Sequence, residues 1–414
     1  MATGLPKTRW NGEINKPTKS GENVFELTWQ EKSSSPNRLF YGDNIDVLRL
    51  INNDSAVKGK VKLIYIDPPY STNSIFQTRD LSNGYADILK GKDYLIFLKE
   101  RLILLRELLA DDGSIYVHLD DNMAFHVKVL MDEIFGVNNF KNFIIRQKCR
   151  PKNFTKNSFG NIADYILFYT KTNKATWNKV YEEWSKEKIL KEYPYIDEKT
   201  GRRHKRVPVH APGTRNGETG KTWRGVLPPQ GKHWQYTPAK LEQLDKEGKI
   251  YWSKNENPRR KVFLDESKGI AIQDIWADFI DTANQNTKIT GYPTEKNPEL
   301  LKRIIKASSN EGDYVLDCFA GSGTTLVAAS ELKRKWIGVD NETVAIETIL
   351  KRFANGTAKM GDYVSKEVIK QDSLFLSTEH FISNFSLYSD TKKAKSLNGT
   401  LKLWDSWLKK SLCA

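Results

Sequence analysis

The chain has 414 residues, enough for two ordinary domains with separate cores, and its 65 Lys and Arg against 51 Asp and Glu leave a formal net charge of +14, which favours a polyanionic partner. Three widely spaced cysteines, Cys149, Cys318 and Cys413, argue against a disulfide framework and a paired-cysteine metal site, and the histidines stand in no zinc spacing with them. With no apolar run of membrane-spanning length and a polar amino terminus, the composition predicts a metal-free, soluble, cytoplasmic protein.

Residues 1–37 are rich in Lys, Ser, Gly and Pro, show no sustained periodicity and read as an N-terminal arm. From Arg38 a strand through Leu39, Phe40 and Tyr41 breaks at Gly42, Asp43 and Asn44 before a helix through Ile45, Leu48 and Ile51. A second strand over 61–66 runs into Asp67-Pro68-Pro69-Tyr70, where two prolines stop any sheet ladder. Residues 71–90 are polar and punctuated by Asn and Gly, and predict a loop standing over Asp67. Apolar spacing from Tyr94 to Leu108 predicts a helix that Asp112-Gly113 stops before the strand 114–118, and another helix follows from Asn122 to Phe135.

Between 142 and 290 the pattern changes to basic clusters, aromatics and short elements, apart from a strand over 165–169 and a helix capped by Thr237 with Pro238 at its first position. This stretch reads as an inserted recognition domain, between a first half over 38–141 and a second over 291–355. In that second half Asn297 and Pro298 open a helix, 314–318 forms a strand, 319–323 a glycine loop, 325–332 a helix and 336–339 a strand ending at Asp340. The extension 356–414 ends in a candidate amphipathic helix with Leu401, Trp404 and Leu408 on one side. Strands alternating with helices predict a doubly wound, mostly parallel α/β sheet.

Two constellations carry chemistry. Gly321 and Gly323 before a helix amino terminus let a ligand approach the backbone, and Asp340 at the end of the next strand can accept hydrogen bonds from ribose hydroxyls. Leu326 stands where a dinucleotide fingerprint needs its third glycine, so an adenosyl ligand without a pyrophosphate fits better. In Asp67-Pro68-Pro69-Tyr70, a carboxylate and the Pro68 carbonyl can accept both hydrogens of an aromatic amine, drawing its delocalised lone pair toward attack, while Tyr70 offers a stacking ring. Each constellation alone is also compatible with a tight turn.

Asp67-Pro68-Pro69-Tyr70 taken with Asp317-Cys318-Phe319-Ala320-Gly321-Ser322-Gly323-Thr324-Thr325 resembles the paired motifs of amino-methyltransferases acting on DNA. With the catalytic motif first, the order resembles the β group of circularly permuted enzymes, which includes the modification subunits of Type III restriction systems. The resemblance implies a seven-stranded Rossmann-like fold and S-adenosylmethionine as cofactor. It places Asp317, Phe319, Ala320, Gly321, Ser322, Gly323 and Thr324 under the cofactor, Asp340 on its ribose, Asp43 at its adenine, Thr294 and Lys296 toward its carboxylate, and Asp67 beside it. Where the family usually reads Gln-Lys-Pro, this chain has Glu295-Lys296-Asn297.

Asp at the first position of the tetrapeptide goes in that family with adenine N6 rather than cytosine N4. The resemblance also implies a double-stranded DNA substrate, a homodimer and an accompanying restriction endonuclease. Candidate DNA contacts in the insertion are Arg202, Arg203, Lys205, Arg206, Arg224, Trp234 and Arg259. The rival readings are N4-cytosine methylation and a catalytically idle DNA-recognition subunit.

Overall fold

The computed structural model describes residues 24–30, 35–69, 75–77, 83–86, 92–151, 157–280, 292, 295–355 and 382–412. Two compact units emerge: Met1–Asn178 with Gln273–Ala414, and Lys179–Ile272.

The larger unit is built on a ten-stranded sheet in the order Phe25–Gln30, Ser386–Asp390, Arg38–Tyr41, Lys335–Asp340, Tyr314–Asp317, Val61–Ile66, Leu109–Leu119, Ala163–Thr170, Phe140–Gln147 and Ile275–Trp276. The sheet has ten strands where seven were expected, and the five from Arg38–Tyr41 to Leu109–Leu119 are parallel. Alternate residues of these strands face opposite ways. Ile64, Ile66, Ile115, Val117, Leu316 and Val339 join the helices Asn44–Asn52, Lys92–Leu108 and Ala124–Phe135 in one core. On the other face Tyr116 bonds Ser308 of the helix Pro298–Ser308, and Trp336 packs on Phe353 of the helix Thr343–Asn355. Helices on both faces of a mostly parallel sheet make the doubly wound α/β architecture.

Three strands extend the sheet beyond seven, and two of them come from segments read as an arm and an extension. Phe25–Gln30 pairs antiparallel with Ser386–Asp390, which itself runs parallel to Arg38–Tyr41. The terminal helix Asn398–Leu412 seals this edge, with Trp404 fully buried against Trp29 and Phe385. Phe25, Leu27 and Trp29 are too short an alternation to be read as a strand without the distant partner.

Other local differences have equally direct reasons. The strand expected from Ser114 begins at Leu109, and Gly113 sits in a break of register where an added Cβ would lie 2.9 Å from the carbonyl oxygens of Val61 and Ala110. That glycine permits close strand approach rather than ending a helix. Within 71–90, expected to be loop, Ile75–Gln77 and Asn83–Ala86 pair antiparallel, and the remaining positions lie outside the described residues.

The smaller unit, 179–272, is narrower than the insertion expected over 142–290, because Phe140–Gln147, Ala163–Thr170 and Ile275–Trp276 belong to the large sheet. It carries a four-stranded antiparallel sheet, Tyr195–Ile196, Arg203–Pro208, Pro258–Phe263 and Ile250–Trp252, and the helix Pro238–Lys246 capped by Thr237. Val209, Trp223, Trp234, Leu241, Leu244 and Ile250 form its own small core.

Candidate active site

Neighbouring parallel strands bring Asp43, Asp340, Asp317 and Asp67 to one edge of the large sheet, each at or just beyond a carboxyl end, where open α/β sheets take their ligands. The glycine loop is held there by two buried acids. Asp317 accepts from Phe319 N at 3.0 Å and Thr325 Oγ1 at 2.6 Å, and Asp340 accepts from Gly321 N at 2.8 Å and Glu342 N at 3.0 Å. Burial pushes Asp317 up to about 7 and Asp340 up to about 6. Gly321 and Gly323 take φ of 50° and 75°, the left-handed region that favours glycine. Gly323 also lets Ile349 approach, since an added Cβ would lie 2.9 Å from it.

These raised acids set a sign for stability. An Asp with a folded value near 6 or 7 and an unfolded value near 3.8 keeps its proton longer when folded, so its contribution falls as pH rises from about 4 to about 7. Buried His118 and His204, held low by desolvation, act in the opposite direction. Asp340→Asn should therefore narrow the stability lead of pH 5 over pH 7.5 relative to the parent, as read from urea midpoints; an unchanged difference would contradict the burial of a titrating Asp340.

Around Asp43 lie residues that the motifs did not point to. Its carboxylate caps the first helix through Ile45 N and accepts from Arg101 Nη2 at 3.2 Å, yet the side chain is 47% exposed. Arg101 also bonds Asn44 Oδ1 at 2.6 Å and the Phe97 carbonyl, and its guanidinium lies 3.5 Å from the Phe97 ring centroid. Asn44 Nδ2 donates to the Cys318 carbonyl, and Phe97 neighbours Phe319, so the group braces the start of the glycine loop. The available signal was an arginine on the apolar stripe of the 92–108 helix.

Beyond the end of the strand Val61–Ile66, Asp67 Oδ2 lies 2.6 Å from Lys296 Nζ, with the two side chains 16% and 9% exposed. Tyr70 and Thr294 lie outside the described residues. Behind Asp67 runs a buried polar row: Tyr65 OH to His118 Nδ1 at 2.8 Å, His118 Nε2 to Asp164 at 3.3 Å, and Asp164 to Lys148 at 3.0 Å and Arg146 at 3.5 Å. Desolvation and the charge of Lys296 hold His118 low, and a neutral ring would donate Nε2–H to Asp164 while Nδ1 accepts from Tyr65. Burial works against ionising Asp164, but its bonds to His118 and Lys148 keep its carboxyl well below the usual range.

The departure at Glu295 has a partner. Glu295 Oε1 accepts from Nη1 of the fully buried Arg352 at 3.0 Å, and the same nitrogen bonds Thr324 Oγ1 at 2.9 Å and Ser322 Oγ at 3.3 Å. Arg352 thus ties the glycine loop to the residue preceding Lys296.

In the smaller unit the seven candidate DNA contacts separate. Arg202 is paired with Asp265 and Glu266, and Arg224 with Glu242 and Asp245. Arg203 donates to the Tyr193 carbonyl, and Lys205 lies 5.0 Å from the Tyr193 ring centroid. Trp234 is 1% exposed in the small core and donates to the Lys221 carbonyl, so its ring is not offered to a base; aromatic identity alone did not reveal that burial. Arg206 is stacked between two tyrosines, and Arg259 is exposed.

The carboxyl edge of this doubly wound sheet joins a glycine loop to Asp67-Pro68-Pro69, and the chain belongs to the DNA methylase family, which matches residues 61–351. The family's methyl donor is S-adenosylmethionine. Among similar proteins, the Type II methyltransferase M.EcaI of Enterobacter cloacae is 50% identical over 362 residues, covering 86% of this chain and 79% of its own length. The Mod subunit of the Type III restriction-modification enzyme StyLTI of Salmonella typhimurium is 30% identical over 386 residues, and the match takes in 85% of this chain but only 58% of that subunit. No helix among the described residues is long and apolar enough to cross a membrane.

Proposed function

We propose that this DNA methyltransferase is site-specific and acts on the N6 amine of adenine. The observation that carries the reading is Asp67: a carboxylate at a strand end, followed by Pro68 and Pro69, with Lys296 on one oxygen. In the flipped-base geometry the other oxygen and the Pro68 carbonyl accept the two amine hydrogens, so the nitrogen lone pair is freed from the ring for attack. Held by the loop from Phe319 to Thr324, Asp340 and Asp43, S-adenosylmethionine would supply a methyl group on a sulfonium whose positive charge would be relieved on transfer. As the nitrogen–carbon bond formed, the sulfur would keep the electron pair of the broken carbon–sulfur bond, and the proton lost by the nitrogen would pass to the Asp67 carboxylate or to water.

The cofactor residues fit this use. Each Asp340 oxygen accepts one backbone amide and keeps acceptor capacity for ribose hydroxyls, Asp43 presents a half-exposed carboxylate, and the loop from Phe319 to Thr324 has the positive-φ glycines that close approach requires. An ammonium carries three donors, so the Lys296 side chain beside Asp67 suits the methionine carboxylate that the resemblance assigns to it. The motif order, catalytic strand before glycine loop, supports the permuted arrangement of the β group. A cognate endonuclease is the partner that the name of one relative, a subunit of a restriction-modification enzyme, points to, and a second copy of the chain is what the family resemblance implies.

The test is to methylate duplex DNA with the purified chain, digest to nucleosides and identify the product by mass. N6-methyladenine is the expected product; N4-methylcytosine alone would overturn the choice of base, and no methylation would support an idle recognition subunit.

A further inference from the structure

Resting on the reading of this chain as a site-specific DNA methyltransferase, we propose that Arg206 is a sequence-reading residue that takes the O6 and N7 edge of a guanine in the target duplex. The argument begins with the pleat of the smaller sheet. Ile250 points into the small core, so Tyr251, its neighbour, faces the other way. Tyr251 stands opposite Arg259, Arg206 opposite Lys261, and Tyr195 opposite His204, which puts Tyr195, Arg206, Tyr251, Arg259 and Lys261 together on the face away from that core.

On this face the charges are not equivalent. Lys261 is bound to Asp197 at 2.6 Å, and the nearby Arg202 is held by Asp265 and Glu266. Arg206 and Arg259 have no carboxylate partner among the described residues. Arg206 is held instead by rings: its guanidinium carbon lies 3.4 Å from the Tyr251 centroid and 3.7 Å from that of Tyr195. Its Nε is buried and unbonded, which leaves Nη1 and Nη2 as the atoms able to meet a partner.

A guanidinium clamped on both faces has its plane set before binding, and little rotamer freedom is left to lose. A phosphate needs only charge and reach, which a flexible lysine supplies. Bidentate bonding to guanine needs the guanidinium coplanar with the base, and this is the requirement that two flanking rings satisfy. Aromatic clamping without a carboxylate therefore marks Arg206 as a reader, whereas exposed Arg259 is suited to phosphate.

The test uses the full chain on a pool of duplexes with randomised sequence, recovering and sequencing the methylated molecules for the parent and for Arg206→Lys, Arg206→Ala and Tyr251→Leu. The parent should show a target containing a guanine at which Arg206→Lys, with its charge kept, loses discrimination by about 5- to 150-fold while preference at other positions stays. Tyr251→Leu, which keeps the arginine but frees its plane, should weaken discrimination at that same position and so tests the idea even if Arg206→Ala does not fold. Unchanged sequence preference in both Arg206→Lys and Arg206→Ala, with Arg206→Ala only binding more weakly and with less salt dependence, would identify a phosphate contact and overturn the assignment. Failure of the parent chain itself to methylate any duplex strikes the proposed function, not the choice of Arg206.

Discussion

Asp67→Ala lowers the single-turnover rate of methyl transfer by about a thousandfold or more while changing cofactor affinity only a few-fold. The magnitude follows from what is removed: a preorganised acceptor in a site of low exposure, the kind of group whose loss costs about 10²–10³ in rate even when it is one of several. In the proposed mechanism it is one of two acceptors on the attacking nitrogen, and without it the lone pair would stay in the ring. Cofactor binding survives because the glycine loop is anchored elsewhere, by Asp317 on Phe319 N and Thr325 and by Asp340 on Gly321 N. Asp67→Asn retains the shape and one acceptor but meets Lys296 as a neutral amide, so its loss should be nearly as large. Rapid-quench transfer with saturating cofactor, together with calorimetric titration of cofactor alone, separates the two effects. Transfer by Asp67→Ala at a tenth of the parent rate or better would remove Asp67 from the mechanism.

Glu295→Ala should be the most destabilising single change at the site. Arg352 is fully buried, Glu295 is 5% exposed at the side chain, and removing the acid leaves a buried guanidinium charge without its ion-pair partner. Breaking a buried pair in this way costs about 3–5 kcal/mol, whereas replacing both partners by apolar groups is much milder. Glu295→Leu with Arg352→Met should therefore recover most of the stability lost by Glu295→Ala, as measured by urea unfolding. Cofactor affinity should not recover with it, because Arg352 also holds Ser322 and Thr324 of the glycine loop. Equal destabilisation by the single and double replacements would show that the pair is not energetically coupled.

The same pair shows how far the chain could be read in advance. Glu295 was visible only as a departure from a family pattern. Its reason, Arg352, sits on a helix beyond the glycine loop, and an arginine within a helix carries no local mark of burial. The ends of the main sheet were hidden for a similar reason: Phe25–Gln30 becomes a strand because Ser386–Asp390 supplies its ladder partner from the far end of the chain. Trp234 and the paired arginines Arg202 and Arg224 looked like DNA-facing groups until their neighbours were placed.

What the sequence by itself determined is whatever depends on contacts within a few residues: the strand into Asp67-Pro68-Pro69, the glycine turn after Asp317, the Thr237-Pro238 and Asn297-Pro298 helix starts, and the alternation that makes a doubly wound sheet. Prolines, positive-φ glycines and capping side chains act on their own backbone, so their effect is written locally. Tertiary structure alone decided that Lys296 meets Asp67, that His118 is buried between Tyr65 and Asp164, and that Arg206 is clamped by rings while Arg202 is held by acids. A charge takes its meaning from burial and from the partner within a few ångströms, and for these residues both come from distant parts of the chain or across a sheet.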